Sequence, residues 1–133
     1  MSNRAKDWLK QAERDIEQAK SSGSENRYEW AYFAAQQSSE KAVKALHLYL
    51  GQEAWGHLVA RLLYELPLQV PDDLVEKGKV LDNFYVPTRY PNSHPEGSPF
   101  EHYGPLQSEE AIQYASEILK FVRDKMARSE TDL

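Results

Sequence analysis

Arg89 and His94 stand in the segment Arg-Tyr-Pro-Asn-Ser-His with four residues between them, and they are the strongest local candidates for chemistry in the chain. An arginine holds and neutralises a phosphate through paired hydrogen bonds. A histidine moves protons near neutral pH. Together they suit phosphodiester chemistry. With RNA as substrate, its own 2′-hydroxyl would be the nucleophile, and the protein would need no Ser or Cys. The spacing alone recurs in many proteins, so a structural role for both residues is the plainer reading of the pair by itself.

Other side chains stand as candidates beside them. His57 follows Trp55-Gly56 and either holds the start of a helix, packs, or lines a pocket. His47 lies between Leu46 and Leu48 in a helical stretch, as a partly exposed helix residue. His102 joins Arg89 and His94 only if its loop folds back. Lys41 and Lys44 are a source of positive charge for a phosphate, though a solvated helix face is the plainer reading of them. Asp82, Asn83 and Tyr85 stand one or two turns before Arg89, where they would orient it or merely end a helix. Tyr90 and Tyr103 are further candidates for ligand binding or orientation. The aromatics Trp8, Tyr28, Tyr32 and Tyr49 read as core. Four scattered histidines, with no HExxH spacing, signal no metal site, and no cofactor motif of the GxGxxG or GxxxxGK[ST] type is present.

The elements that must position these residues are helical. Apolar residues recur at three- and four-residue steps through 4–20, where Ala5, Trp8, Leu9, Ala12, Ile16 and Ala19 form one stripe. Ser21-Ser22-Gly23-Ser24 reads as the break, with Gly23 as stop and Ser24 as the next N-cap. A second helix spans 25–50. It is apolar over more than half its circumference, carries Ala31, Ala34, Ala35, Ser38, Ser39 and Ala42 for close approach, and ends at Gly51. A short helix over 57–66 turns Leu58, Leu62, Leu63 and Leu66 inward. A fourth begins at Pro71-Asp72-Asp73, buries Leu74, Val75, Leu81 and Phe84 or Tyr85, and ends near Pro87. Residues 87–107 form a long loop whose Tyr90, Phe100 and Tyr103 favour order. Ser108 caps the last helix, whose stripe runs from Ala111 to Met126, and a frayed tail is expected from Arg128. The sum is an all-α chain: a five-helix up-and-down antiparallel bundle.

Length and charge agree with one domain over 1–133. The chain has 133 residues, no cysteine, 16 Lys+Arg and 21 Asp+Glu, for a formal charge of −5. The absence of Cys excludes disulfides and thiolate zinc sites. Residues 1–66 are neutral overall, whereas 67–133 carry the whole net charge of −5 and all seven prolines. An acidic chain makes a poor general binder of phosphate backbones, so no DNA partner is expected. No apolar run approaches the ~20 residues that span a bilayer, and the N-terminus is charged at once, so no membrane segment or leader is expected.

Four segments carry a resemblance: A-x-x-W-L-x-Q-A-x-x-D at 5–15, YEWAYFAAQQSSEKAVKAL at 28–46, WGHLVARLL at 55–63 and LDNFYVPTRYP at 81–91. They make the chain similar to the HEPN domain family along nearly its whole length. The resemblance implies a five-helix bundle, related to the helical domains that bind nucleotidyltransferase substrates, that usually forms homodimers. It also implies a cytoplasmic bacterial or archaeal protein often paired with a small nucleotidyltransferase as toxin and antitoxin. Many members are metal-independent ribonucleases with an Arg, four to six residues, then a His, which Arg89 and His94 match. In them, two such motifs face one cleft of the dimer. Tyr90 stands where those members commonly carry a small polar residue, and Glu96 where toxin members place a modifiable tyrosine. Three functions follow: a toxin-type endoribonuclease, a non-catalytic module binding a nucleotide with Arg89 as phosphate anchor and His57 or Lys44 nearby, or a subunit that binds a nucleotidyltransferase.

Overall fold

A computed structural model of the chain describes residues 4–83 and 85–131. Five α-helices follow one another: α1 (Ala5–Ser24), α2 (Tyr28–Tyr49), α3 (Val59–Tyr64), α4 (Asp72–Asp82) and α5 (Pro105–Thr131). Two short 3₁₀ turns, Pro91–Ser93 and Pro99–His102, shape the loop before α5. Among the described residues there is no strand, and no helix is long and apolar enough to cross a membrane. Phe84, expected in the apolar set of α4, lies outside the described residues. The tail expected from Arg128 lies at their edge: α5 is drawn to Thr131, and 132 and 133 fall outside them.

α2 is the central helix and packs on α1, α3, α4 and α5. The breadth of its apolar surface explains this, since a stripe facing one neighbour would leave half of these residues wet. Ala31, Ala35, Ser38, Ser39, Ala42, Val43, Ala45 and Leu46 are all buried on it. Small residues bring backbones close enough to bond: the Ser38 hydroxyl donates to the Ala12 carbonyl of α1 at 2.7 Å. Ala5, Ala12, Ile16 and Ala19 supply the facing stripe of α1. Ala111, Ala115, Ile118, Leu119, Val122 and Met126 close the core from α5.

The breaks fall elsewhere than residue type alone suggests. α1 runs through Ser-Ser-Gly-Ser, and Asn26 rather than Gly23 takes the left-handed conformation, at φ 64°. Arg27 N–H then bonds the Ser22 carbonyl and Asn26 N–H the Gly23 carbonyl, which is the paired C-terminal lock of a helix. Gly23 stays helical, and α5 crosses close to it: a Cβ on it would sit 3.3 Å from the Ser108 Oγ. Ser108 is therefore buried packing rather than a cap. α5 starts three residues earlier at Pro105, and the Gln107 side chain accepts from Gly104 N–H at 2.9 Å. The same lock ends α2, where Gly51 at φ 80° lets Gln52 N–H reach the His47 carbonyl. His47, expected partly exposed, is buried, because its ring bridges Gln52 and the Leu62 carbonyl, the latter at 2.8 Å from Nε2.

α3 is shorter than the expected 57–66, and Leu58 lies outside it, half exposed. Its first turn is held from another helix: the Asp82 carboxylate, at the end of α4, accepts from Val59 N–H at 2.8 Å and Ala60 N–H at 2.9 Å. Asp82→Ala leaves both donors without that partner in a partly buried place. It should cost on the order of 1–3 kcal/mol in urea unfolding, whereas Asp73→Ala on the open first turn of α4 should cost less than ~1 kcal/mol.

Candidate functional site

The turns after α4 place Arg89. Tyr85 N–H bonds the Asp82 carbonyl and Arg89 N–H the Val86 carbonyl, so the chain coils back on itself. Thr88 is buried in this coil, its hydroxyl toward the Tyr85 carbonyl. That carbonyl also accepts from Arg89 Nε at 3.3 Å. The guanidinium lies over three rings, its central carbon 4.6 Å from the centroid of Phe33, 4.7 Å from Tyr85 and 5.2 Å from Tyr90. Arginine suits this place because its planar, weakly hydrated cation stacks on aromatic faces. Among the described residues no carboxylate pairs with it.

His94 and His102 meet in the loop. Their rings stack in parallel, centroids 4.1 Å apart, and the edge of Tyr103 abuts His94. His94 Nε2–H donates to the Pro87 carbonyl at 2.7 Å, and His102 Nε2–H to the Glu96 carbonyl at 2.7 Å. A carbonyl only accepts, so the proton is on Nε2 in both rings, and Nδ1 of His94 is the atom left for proton transfer. Tyr103 is buried against Tyr32, and burial pushes its hydroxyl up to about 12. Burial raises the Tyr32 hydroxyl likewise, and its O–H donates to the Val80 carbonyl. Of the three loop aromatics expected to hold the loop, only Tyr103 is buried. Tyr90 and Phe100 are exposed.

A third group adjoins the first through Tyr85. The His57 ring stacks on Tyr85 at 5.7 Å, and its Nδ1 faces the Glu40 carboxylate at 3.3 Å. Glu40 also takes Lys44 at 3.1 Å, with side chains only 6% and 12% exposed. Lys44 is thus committed to Glu40 and to the face of Trp8 rather than open to a phosphate. Lys41 is committed in the same way to Asp15. Asp82, expected to orient Arg89, instead caps α3. Desolvation raises its pKa above the usual carboxylate value, and the amides of Ala60 and Val59 oppose that rise.

The structure therefore joins Arg89 to Tyr85, Tyr90 and, through Tyr85, to His57, Glu40 and Lys44. It joins His94 to His102 and Tyr103. It shows no bond or ring contact between Arg89 and His94 within one chain, among the described residues. Phe33 and Gln36 are the residues missed in sequence. Gln36 is fully buried and donates to the His57 carbonyl at 2.9 Å and weakly to Asp82. A polar residue on the face of a helix that is otherwise small and apolar was the available signal. Among the described residues, no three His, Asp or Glu side chains gather to hold a metal ion.

The bundle, with its Arg-x4-His loop after α4, has clear relatives. A sequence model of the HEPN domain matches residues 5–125, and the chain belongs to that family. It is 30% identical over 131 residues to "Putative toxin MJ1304" of Methanocaldococcus jannaschii, covering 90% of this chain and 86% of that protein. Its fold is similar to that of TT1696 from Thermus thermophilus, with a TM-score of 0.91 and 52% identity over 93% of this chain and 99% of that one. It is also similar to ST0689, an archaeal HEPN homologue, with a TM-score of 0.81 and 40% identity over 94% and 99% of the two chains.

Glu40→Ala strands the little-exposed Lys44 ammonium and removes the partner of His57. Urea unfolding should register a loss of about 3 kcal/mol, as for other pairs broken on one side. Replacing the exposed partner in Arg61–Glu65 should change stability by less than ~1 kcal/mol.

Proposed function

We propose that this protein is a toxin-type endoribonuclease of the cytoplasm that acts without a metal through Arg89 and His94. The observation that carries the proposal is the Arg89 guanidinium, stacked among rings and, among the described residues, paired with no carboxylate in a protein rich in acids. A permanent cation left unpaired in an acidic protein is suited to hold an anion. The likeness to "Putative toxin MJ1304" supports the toxin role, and a small nucleotidyltransferase is the partner expected with it. Arg89 and His94 have separate neighbours in one chain, which fits a site completed by a second copy.

Arg89 would bind the non-bridging oxygens of the phosphate and offset the charge that builds there in the transition state. His94 Nδ1 would take the proton of the 2′-hydroxyl as that oxygen attacks phosphorus. The bond from phosphorus to O5′ breaks, and O5′ receives a proton from the imidazolium of His94 of the partner subunit. The products are a 2′,3′-cyclic phosphate and a 5′-hydroxyl. A second reading rests on the rings round Arg89: Phe33, Tyr85 and Tyr90 also suit a bound nucleotide held without cleavage.

Purified protein should cleave RNA in the presence of EDTA and leave cyclic phosphate ends. Arg89→Ala should lower the rate at least a hundredfold. His94→Gln, whose amide can still reach the Pro87 carbonyl, should lower it 10²–10⁴-fold. Absence of cleavage by the native protein, or full activity in both variants, would refute the ribonuclease reading. Calorimetry with ATP and GTP then decides the second.

A further inference from the structure

Arg89 lies over Phe33, which walls one cleft, and over Tyr85, which walls another. The ring row runs Trp30, Phe33, Tyr85, His57, with successive centroids 6.1, 6.0 and 5.7 Å apart. Arg89 covers the middle two rings. On the side of Phe33 and Trp30, a cleft of about 470 Å³ opens between α1 and α2, with Gln18, Gln37 and Arg27 on its walls. On the side of Tyr85 and His57, a cleft of about 670 Å³ opens beside α3, with Trp55, Leu58 and Arg61 on its walls. Either volume is within the range that takes a small planar ligand.

We propose that these clefts receive the bases of two consecutive unpaired nucleotides, one on each side of the phosphate held by Arg89. This rests on the phosphate-holding role of Arg89 given above and extends it to the class of RNA. Three observations favour nucleotides as the occupant. First, the surface is aromatic where bases would lie and cationic where phosphate would lie, the arrangement of single-strand binders. Trp30 is 51% exposed and lines the first cleft. Secondly, Phe33 walls one cleft and Tyr85 the other, and the two rings touch with centroids 6.0 Å apart, so bases in the two clefts are kept apart by a pair of rings. Consecutive bases occupy both clefts only when splayed apart, which a duplex forbids. Thirdly, Arg27 at the first cleft has no ion pair among the described residues and supplies a second cation for the neighbouring phosphate. Both clefts carry side chains able to meet a base edge by hydrogen bonds: Gln18, Gln37 and Glu25 in the first, and His57, Arg61 and Glu65 in the second.

The test uses the native full-length protein and fluorescent 2′-O-methyl oligoribonucleotides, which lack the nucleophile and stay intact. Anisotropy should show the single strand binding at least tenfold more tightly than the same sequence in a duplex. Trp30→Ala and His57→Ala, both at exposed rings, should each weaken binding by about 5- to 100-fold, the usual range for loss of one stacked base. Trp30→Phe should restore most of the affinity. Light scattering on each variant should show an unchanged assembly. Equal binding of duplex and single strand, or unchanged affinity in both Ala variants, would overturn the proposal. So would affinity that falls only together with the assembly, since a second copy would then be the occupant. Cleavage of ordinary RNA, measured separately, tells the two readings apart. Cleavage indifferent to Trp30 and His57 defeats the clefts alone, and Arg89-dependent binding without cleavage defeats the ribonuclease alone.

Discussion

One carboxylate ties three helices together. Asp82 ends α4, caps the first turn of α3 and takes a long hydrogen bond from Gln36 at the centre of α2. A helix of six residues has far too few internal bonds to form alone, so α3 exists because its start is held from outside. Gln36 spends its other amide hydrogen on the His57 carbonyl, two residues before α3 begins. Since Tyr85 follows Asp82 by three residues, the same group fixes how far His57 and Tyr85 stand apart. The stack of those two rings is the visible outcome. Burial works against the charge on Asp82 and the two backbone amides work for it, so the group holds its place through geometry as much as through charge.

The candidate site inherits its character from that frame. In a protein with net charge −5, long-range attraction for an anion is absent, and any affinity must be local. Among the described residues, rings rather than acids surround Arg89. Aromatic neighbours hold the guanidinium in place without neutralising it, whereas a carboxylate would hold it and neutralise its charge. The acids of the neighbourhood are meanwhile occupied, Glu40 with Lys44 and His57, Asp82 with the start of α3.

The bundle was legible because its cause is periodic. Stripes at three- and four-residue steps told where each helix buries itself, and the breadth of the stripe on α2 told that it is central. Positions set by contact between distant segments were not legible. Gly23 looked like a stop because glycine ends helices, yet it is there to let Ser108 of α5 approach. Asp82 looked like a partner for a nearby arginine, yet its partners are 22 and 23 residues away. Arg89 and His94 were found as a pair by spacing. Their company of Phe33 on one side and His102 on the other depends on how a long loop returns to the body, and no local pattern encodes that return.

The stacked histidines carry a consequence for that loop. His94 fastens to the carbonyl of Pro87 and His102 to that of Glu96, and ring lies on ring between them. The segment is thereby laced to itself without any helix or strand ladder, and two of its prolines start the tight turns that shorten it. Its loss of conformational freedom is completed when the protein folds. A ligand that met this surface would not have to order it, so that entropy would not be subtracted from its affinity. The loop serves as a finished wall that stands before anything is bound to it.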